Sequence, residues 1–161
     1  MIRATLRSLG SLSFLAFVML TSASAACALR DDAQQRHAPR FEWPARGAIV
    51  FECWTEDPER LTIATRDGAD VRAVGAGEAL FAGSWGKFSE LILIRHPGGF
   101  VSAYYGDIGE LRVKRFDHVD AGQVIAAMRA GDPDEAPELR FELRAGGAVV
   151  NPRLYLDSSG P

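Results

Sequence analysis

Two cysteines, three histidines and two lysines are all that this 161-residue chain holds of those residue types. The scarcity of thiol and imidazole excludes a good deal of chemistry. There is no CxxC pair and no Cys/His cluster at metal-ligand spacing. None of His37, His96 and His118 forms an i, i+2 or i, i+4 pair with another histidine. All three read as ordinary surface or turn residues, because a zinc site demands convergent ligands. No Ser/His/Asp or Cys/His constellation is signalled, and Cys53 has no histidine near it in sequence. A lone cysteine of this kind is more often a small buried apolar residue than a nucleophile. Heptads, internal repeats and sustained helical periodicity are also missing, which argues against coiled coils, solenoids and helix bundles. Lys87 and Lys114 are the only lysines, so arginine supplies nearly all the positive charge.

The one long apolar run lies at the start. Arg3 and Arg7 precede Leu12–Leu20, and small residues follow from Thr21 to Ala26. A positive region, an apolar core and an A-x-A site at Ala23-Ser24-Ala25 make residues 1–25 a signal peptide for export. The run is short for a membrane span, which needs roughly 20 apolar residues, and no later segment is longer. Cys27 follows the cleavage region, so lipid attachment is open beside simple cleavage, although Ser24 stands where lipoprotein signals usually carry leucine. Pairing of Cys27 with Cys53 in an oxidising compartment is open as well. Loss of Arg3 and Arg7 leaves 16 basic against 21 acidic residues, a formal charge of −5, where the whole chain has −3. Such a surface does not favour nucleic acid or anionic lipid.

Residues 26–40 are polar and without period, a linker. From Phe41 the pattern becomes strand, turn, strand. Leu61–Ala64, Val71–Val74, Ala79–Ala82, Leu91–Ile94 and Val101–Tyr105 are short, and apolar or alternating, with glycines or prolines between them. Val124–Met128 reads as strand or helical turn, its neighbours favouring strand. Leu139–Leu156 contains a Gly146-Gly147 hairpin turn. About ten short strands at this spacing predict an all-β sandwich or barrel.

The motifs, taken in order, resemble the LytM (lysostaphin-type) zinc peptidase family. Trp43-Pro44-Ala45-Arg46-Gly47 is similar to its opening "WPxxG", and Gly68–Ala73 to its "GTPVxA". Phe81-Ala82-Gly83 resembles "xAG", Ile94–Gly99 "IxHxxG", and Val101–Tyr104 the strand leading to "YxHL". Asp117–Gln123 matches "GDxVxxGQ" apart from its first residue, where Phe116 stands. Leu139–Arg144 resembles "HLHFEIR", and Val150–Leu156 the closing "VxPxxYL". The resemblance covers residues 41–156, leaves 157–161 as a tail, and implies an antiparallel β-sandwich or barrel of the duplicated-hybrid-motif type. A biotinyl or lipoyl barrel shares some of this pattern but needs an acceptor lysine at an exposed turn, and neither lysine has such surroundings.

A catalytic zinc takes three protein ligands and leaves a position open for water, whose pKa the metal lowers to about 7. In the family the ligands come from "HxxxD" and the second histidine of "HxH", assisted by the first histidine of "HxH" and that of "YxHL". By motif those positions here are Pro58, Thr62, Glu138, Arg140 and Gly106. All five differ from the family pattern. The resemblance therefore implies a member without metal, cofactor or peptidase chemistry. Its groove becomes a binding surface, with Tyr104 and Tyr105 at the wall, one of which alternation must send to the core. Alternation also puts Glu138, Arg140, Glu142 and Arg144 on one face, as solvated ion pairs or as an Arg140–carboxylate pair in the metal's place. Degenerate LytM domains are envelope regulators, which implies peptidoglycan or a cell-wall amidase or other hydrolase as partner. A metalloendopeptidase with a displaced zinc and a structural envelope module are the other two readings.

Overall fold

The structure, a computed structural model, describes residues 39–53, 60–86, 88–130 and 135–161, with backbone alone at 51–53, 88 and 89. The expected signal segment, most of the linker, Cys27, His37, Pro58 and Lys87 lie outside the described residues, as does the side chain of Cys53. The strands are β1 (Ala48–Cys53), β2 (Arg60–Ala64), β3 (Asp70–Arg72), β4 (Gly77–Trp85), β5 (Phe88–His96) and β6 (Phe100–Gly106). They continue as β7 (Ile108–Leu111), β8 (His118–Val119), β9 (Val124–Met128), β10 (Glu138–Ala145) and β11 (Ala148–Val150). Among the described residues there is no α-helix, only short 3-10 turns at Pro97–Gly99 and Pro152–Leu154. The fold is all-β, as the turn-punctuated pattern implied.

The strands form two antiparallel sheets. The larger runs β1-β2-β10-β6-β5-β4-β8, with β11 paired to β10, and the smaller runs β3-β9-β7. Val124–Met128 is strand rather than helical turn because β9 has a partner on both sides, β3 and β7. Period-two alternation decides which residues lie between the sheets. Leu61 and Ile63 of β2, Ile92 and Ile94 of β5, and Leu139, Phe141 and Leu143 of β10 are fully buried. Val71, Ile125 and Met128 of the smaller sheet join them in one cluster. Each such side chain withdrawn from water contributes about 1.5–3 kcal/mol, and this shared core presents the opposite face of the larger sheet outward.

The segment entering the domain and the one leaving it are stitched together. Phe41 N–H donates to the Tyr155 carbonyl at 2.8 Å, and Asp157 N–H to the Phe41 carbonyl at 2.8 Å. Trp43 Nε1 donates to the Asp157 carbonyl at 3.1 Å. Phe41 packs edge-on against Phe100, and Phe100 against Tyr155. Residues expected only as a tail after 156 thus begin with a residue bonded into the fold.

Candidate functional site

The outer face of the larger sheet is built by β2, β10 and β6, adjacent in that order. Register places Thr62 directly opposite Arg140 on one side, and Tyr105 directly opposite it on the other. Opposed residues of this kind have Cβ atoms about 4.5–5.5 Å apart. Glu138 and Glu142 flank Arg140 at two-residue spacing and so share its face. Arg140 Nη2 lies 3.8 Å from Glu138 Oε2, with the two side chains 40% and 43% exposed. Arg144 Nη2 lies 3.9 Å from Glu142 Oε2.

Gly106 ends β6 opposite Leu139 and Glu90. Its φ is +116°, a region that disfavours any side chain. A Cβ added there would sit 2.3 Å from the Glu138 carbonyl oxygen. Gly106, matched by motif alone to an assisting histidine of the family, therefore has no room for a side chain on this backbone.

The two tyrosines separate by alternation. Tyr104 points into the core and is fully buried. Tyr105 lies on the face of Arg140 but is only 8% exposed, and its hydroxyl donates to Glu142 Oε1 at 2.7 Å. Burial, then the hydrogen bond to Glu142 and its charge, push the Tyr105 phenol up to about 12, against the opposing pull of Arg60. The floor beside Arg140 is thus a closed phenol–carboxylate contact rather than an open aromatic surface. Pro58 lies outside the described residues; the structure brings Thr62, Gly106, Glu138, Arg140 and Tyr105 together on three neighbouring strands.

These residues do not fit a zinc ion. A guanidinium offers donors only and stays charged, so Arg140 cannot ligate a dication and repels one. Glu138, the nearest carboxylate, already faces Arg140. Among the described residues no three His, Cys, Asp or Glu side chains converge on a common point. What the arrangement offers is recognition. The Arg140–Glu138 pair is long and half exposed, so it is worth about 0–1 kcal/mol. Arg140 can exchange that carboxylate for a partner's at little cost, using the fork geometry of its N–H groups.

The expectation that all three histidines are surface or turn residues fails at His96, which is 3% exposed. Its Nδ1 lies 3.0 Å from the Ala76 carbonyl and its Nε2 2.7 Å from Ser102 Oγ. Ser102 Oγ and Tyr104 Oη are 3.2 Å apart, and Val74 N–H donates to Tyr104 Oη at 2.9 Å. A carbonyl only accepts, so Nδ1 carries the proton and Nε2 accepts from Ser102. Burial lowers the pKa of His96, opposed by its bonds to Ala76 and Gly75. The Ser102–His96 contact has the form of a nucleophile–base pair, but Ser102 is wholly buried and no substrate reaches it. The network is structural. The signal was present in sequence: Ile92, Ile94 and His96 are in phase on one face of β5.

With that geometry in place, the comparisons with known proteins align with it. The chain is 35% identical over 119 residues to the lipoprotein NlpD/LppB homolog of Pseudomonas aeruginosa, covering 72% of this chain and 39% of that one. It is 30% identical over 119 residues to the murein hydrolase activator NlpD of Escherichia coli, covering 72% and 31%. The chain therefore spans less than half the length of either relative. Helicobacter pylori Csd3 shares the fold with a TM-score of 0.64 at 17% identity, over 76% of this chain and 34% of Csd3. Residues 58–152 match peptidase family M23, and the chain belongs to that family.

Proposed function

We propose that this chain is a non-catalytic M23-family protein of the cell envelope that binds a cell-wall hydrolase or peptidoglycan and thereby regulates peptidoglycan remodelling. The observation that carries the reading is Arg140, paired with Glu138 and set between Thr62 and Tyr105, at a position that matches a metal ligand of the family by motif. A cation on that floor binds carboxylates and hydrolyses nothing. Two relatives matched over this domain are named as a murein hydrolase activator and an NlpD/LppB lipoprotein, which favours a hydrolase as partner. The signal expected at residues 1–25 and Cys27 support a place in the envelope, freed by cleavage or held by a lipid; among the described residues no helix is long and apolar enough to cross a membrane.

The test uses the mature protein, sacculi, and a purified N-acetylmuramoyl-L-alanine amidase from the same envelope. The protein alone releases no muropeptides, binds the amidase or the sacculi, and accelerates release when the amidase is present. Arg140→Ala weakens the binding by about 2 kcal/mol, as a buried interfacial arginine does, and leaves the melting temperature nearly unchanged. Loss of stability with unaltered affinity would reduce Arg140 to an internal ion pair and remove the support for this reading.

A further inference from the structure

Among the described residues, Phe116 alone combines a side chain with a left-handed backbone, φ +75°. Its place in the turn before β8 is where the resembled "GDxVxxGQ" motif has glycine. A phenylalanine there is strained and glycine would not be. Burial does not offset the strain, because the residue is 61% exposed. Nor is the turn loose. Phe116 N–H donates to the Ala79 carbonyl at 2.7 Å, and Ala79 N–H to the Asp117 carbonyl at 2.9 Å. Asp117 N–H donates to the Lys114 carbonyl at 3.1 Å, and Asp117 Oδ2 accepts Lys114 N–H at 2.8 Å. The Arg115 guanidinium covers the ring with its carbon 4.5 Å from the centroid. That cation–π contact is exposed and weak, and does not offset the strain of a left-handed phenylalanine.

We propose that Phe116, flanked by Lys114 and Arg115, is a preformed knob that docks into an apolar pocket rimmed by carboxylates on the protein partner. This rests on the reading of the chain as a hydrolase-binding protein and adds a second contact to the Arg140 face. From β10 to β8 is four strand spacings of the larger sheet, about 19 Å at about 4.8 Å each. That separation is within the span of an interface of ordinary size. The two cations that flank the ring, Lys114 and Arg115, favour carboxylates at the rim of the pocket, while the Asp117 carboxylate is engaged within the turn by the Lys114 amide. An anionic membrane is disfavoured, since such binding draws on clusters of about four to eight basic residues, and only Lys114 and Arg115 flank the ring. Rigid presentation lowers the ordering cost of binding, which is what the strained turn supplies.

Phe116→Gly and Phe116→Asn both relieve the strain, and Phe116→Tyr retains ring and strain together. For each, the melting temperature and the affinity for the purified amidase are measured, with Arg140→Ala alongside. The proposal expects the glycine and asparagine variants to melt a few degrees higher yet bind about tenfold more weakly, while the tyrosine variant binds like wild type. Unchanged amidase affinity in both strain-relieved variants, with Arg140→Ala still impaired, overturns the knob and leaves the proposed function standing. If wild type itself neither binds nor activates the amidase, the knob falls together with the hydrolase arm of the proposed function, and binding to sacculi decides the rest. Binding of wild type to phosphatidylglycerol vesicles, or a dimer in sedimentation, that Phe116→Gly abolishes while amidase affinity is unchanged also overturns it, in favour of a lipid or self contact.

Discussion

A neutral imidazole holds the segment Val74–Ala76 against β5, through Nδ1 of His96 to the Ala76 carbonyl and through Ser102 and Tyr104 to the Val74 amide. The folded pKa of His96 is lowered, chiefly by burial. Above the unfolded value of about 6.5 both states are neutral and the contribution is whole. As pH falls below that value the unfolded chain takes up a proton that the folded chain resists, and stability is lost down to the folded pKa. Urea denaturation at pH 7.5 and pH 5.5 tests this. Wild type loses stability on acidification and His96→Gln loses less; an identical loss in both proteins excludes His96 as the cause. Tyr104→Phe leaves the Val74 amide without its acceptor, which costs about 1–3 kcal/mol for a buried donor. An unchanged denaturation midpoint would show that water or another group takes the place of the hydroxyl.

At the scale of elements, β10 separates core from candidate site. Its burial alternates strictly from Glu138 to Leu143, so Leu139, Phe141 and Leu143 anchor the strand while Glu138, Arg140 and Glu142 are presented outward. That division was legible because a period of two is written directly in residue order. The register was not. Irregularities at Ile49/Phe51, Val71/Arg72 and Ala79/Phe81 shift strand pairing, and one extra residue in a strand leaves no mark in composition. The closeness of β6 to β10 at Gly106 was equally hidden, since it follows from a backbone conformation. Gly106→Ala places a Cβ 2.3 Å from the Glu138 carbonyl oxygen, at a φ that disfavours it. The variant is expected to lose about 1–3 kcal/mol of stability, read as a fall in melting temperature. Wild-type stability would mean that the end of β6 can move away from β10. For the same reason, Gly106→His is expected to destabilise the fold at least as much as Gly106→Ala.

For the molecule as a whole, stability rests on the core shared by the two sheets and on the stitching of Phe41 to Tyr155 and Asp157. Among the described residues no three His, Cys, Asp or Glu side chains are grouped to hold a metal. A structural zinc would contribute its binding free energy to folding and make a chelator destabilising. Dialysis of the mature protein against EDTA is therefore expected to leave the melting temperature unchanged, and elemental analysis of the untreated protein to find no stoichiometric zinc. One tightly held zinc per chain, with muropeptide release that stops on its removal, would restore the endopeptidase reading.

What the sequence determined by itself is local and periodic: strands, turns, the outward set Glu138–Arg140–Glu142, and substitution at the family's ligand motifs. Each depends on residue order within a few positions, which alternation and glycine punctuation record. Tertiary structure alone decided the rest. It opposed Thr62 and Tyr105 to Arg140 across two strand pairings, closed Tyr105 onto Glu142, and buried His96 in a hydrogen-bonded chain. These partners are brought together by sheet order rather than by spacing. In the same way Phe116 is a glycine replacement when read along the chain, and becomes a strained, exposed ring only once the turn is tied to β4 through Ala79. A residue's backbone conformation is set by what its neighbours bond to, and that is known only when the chain has folded.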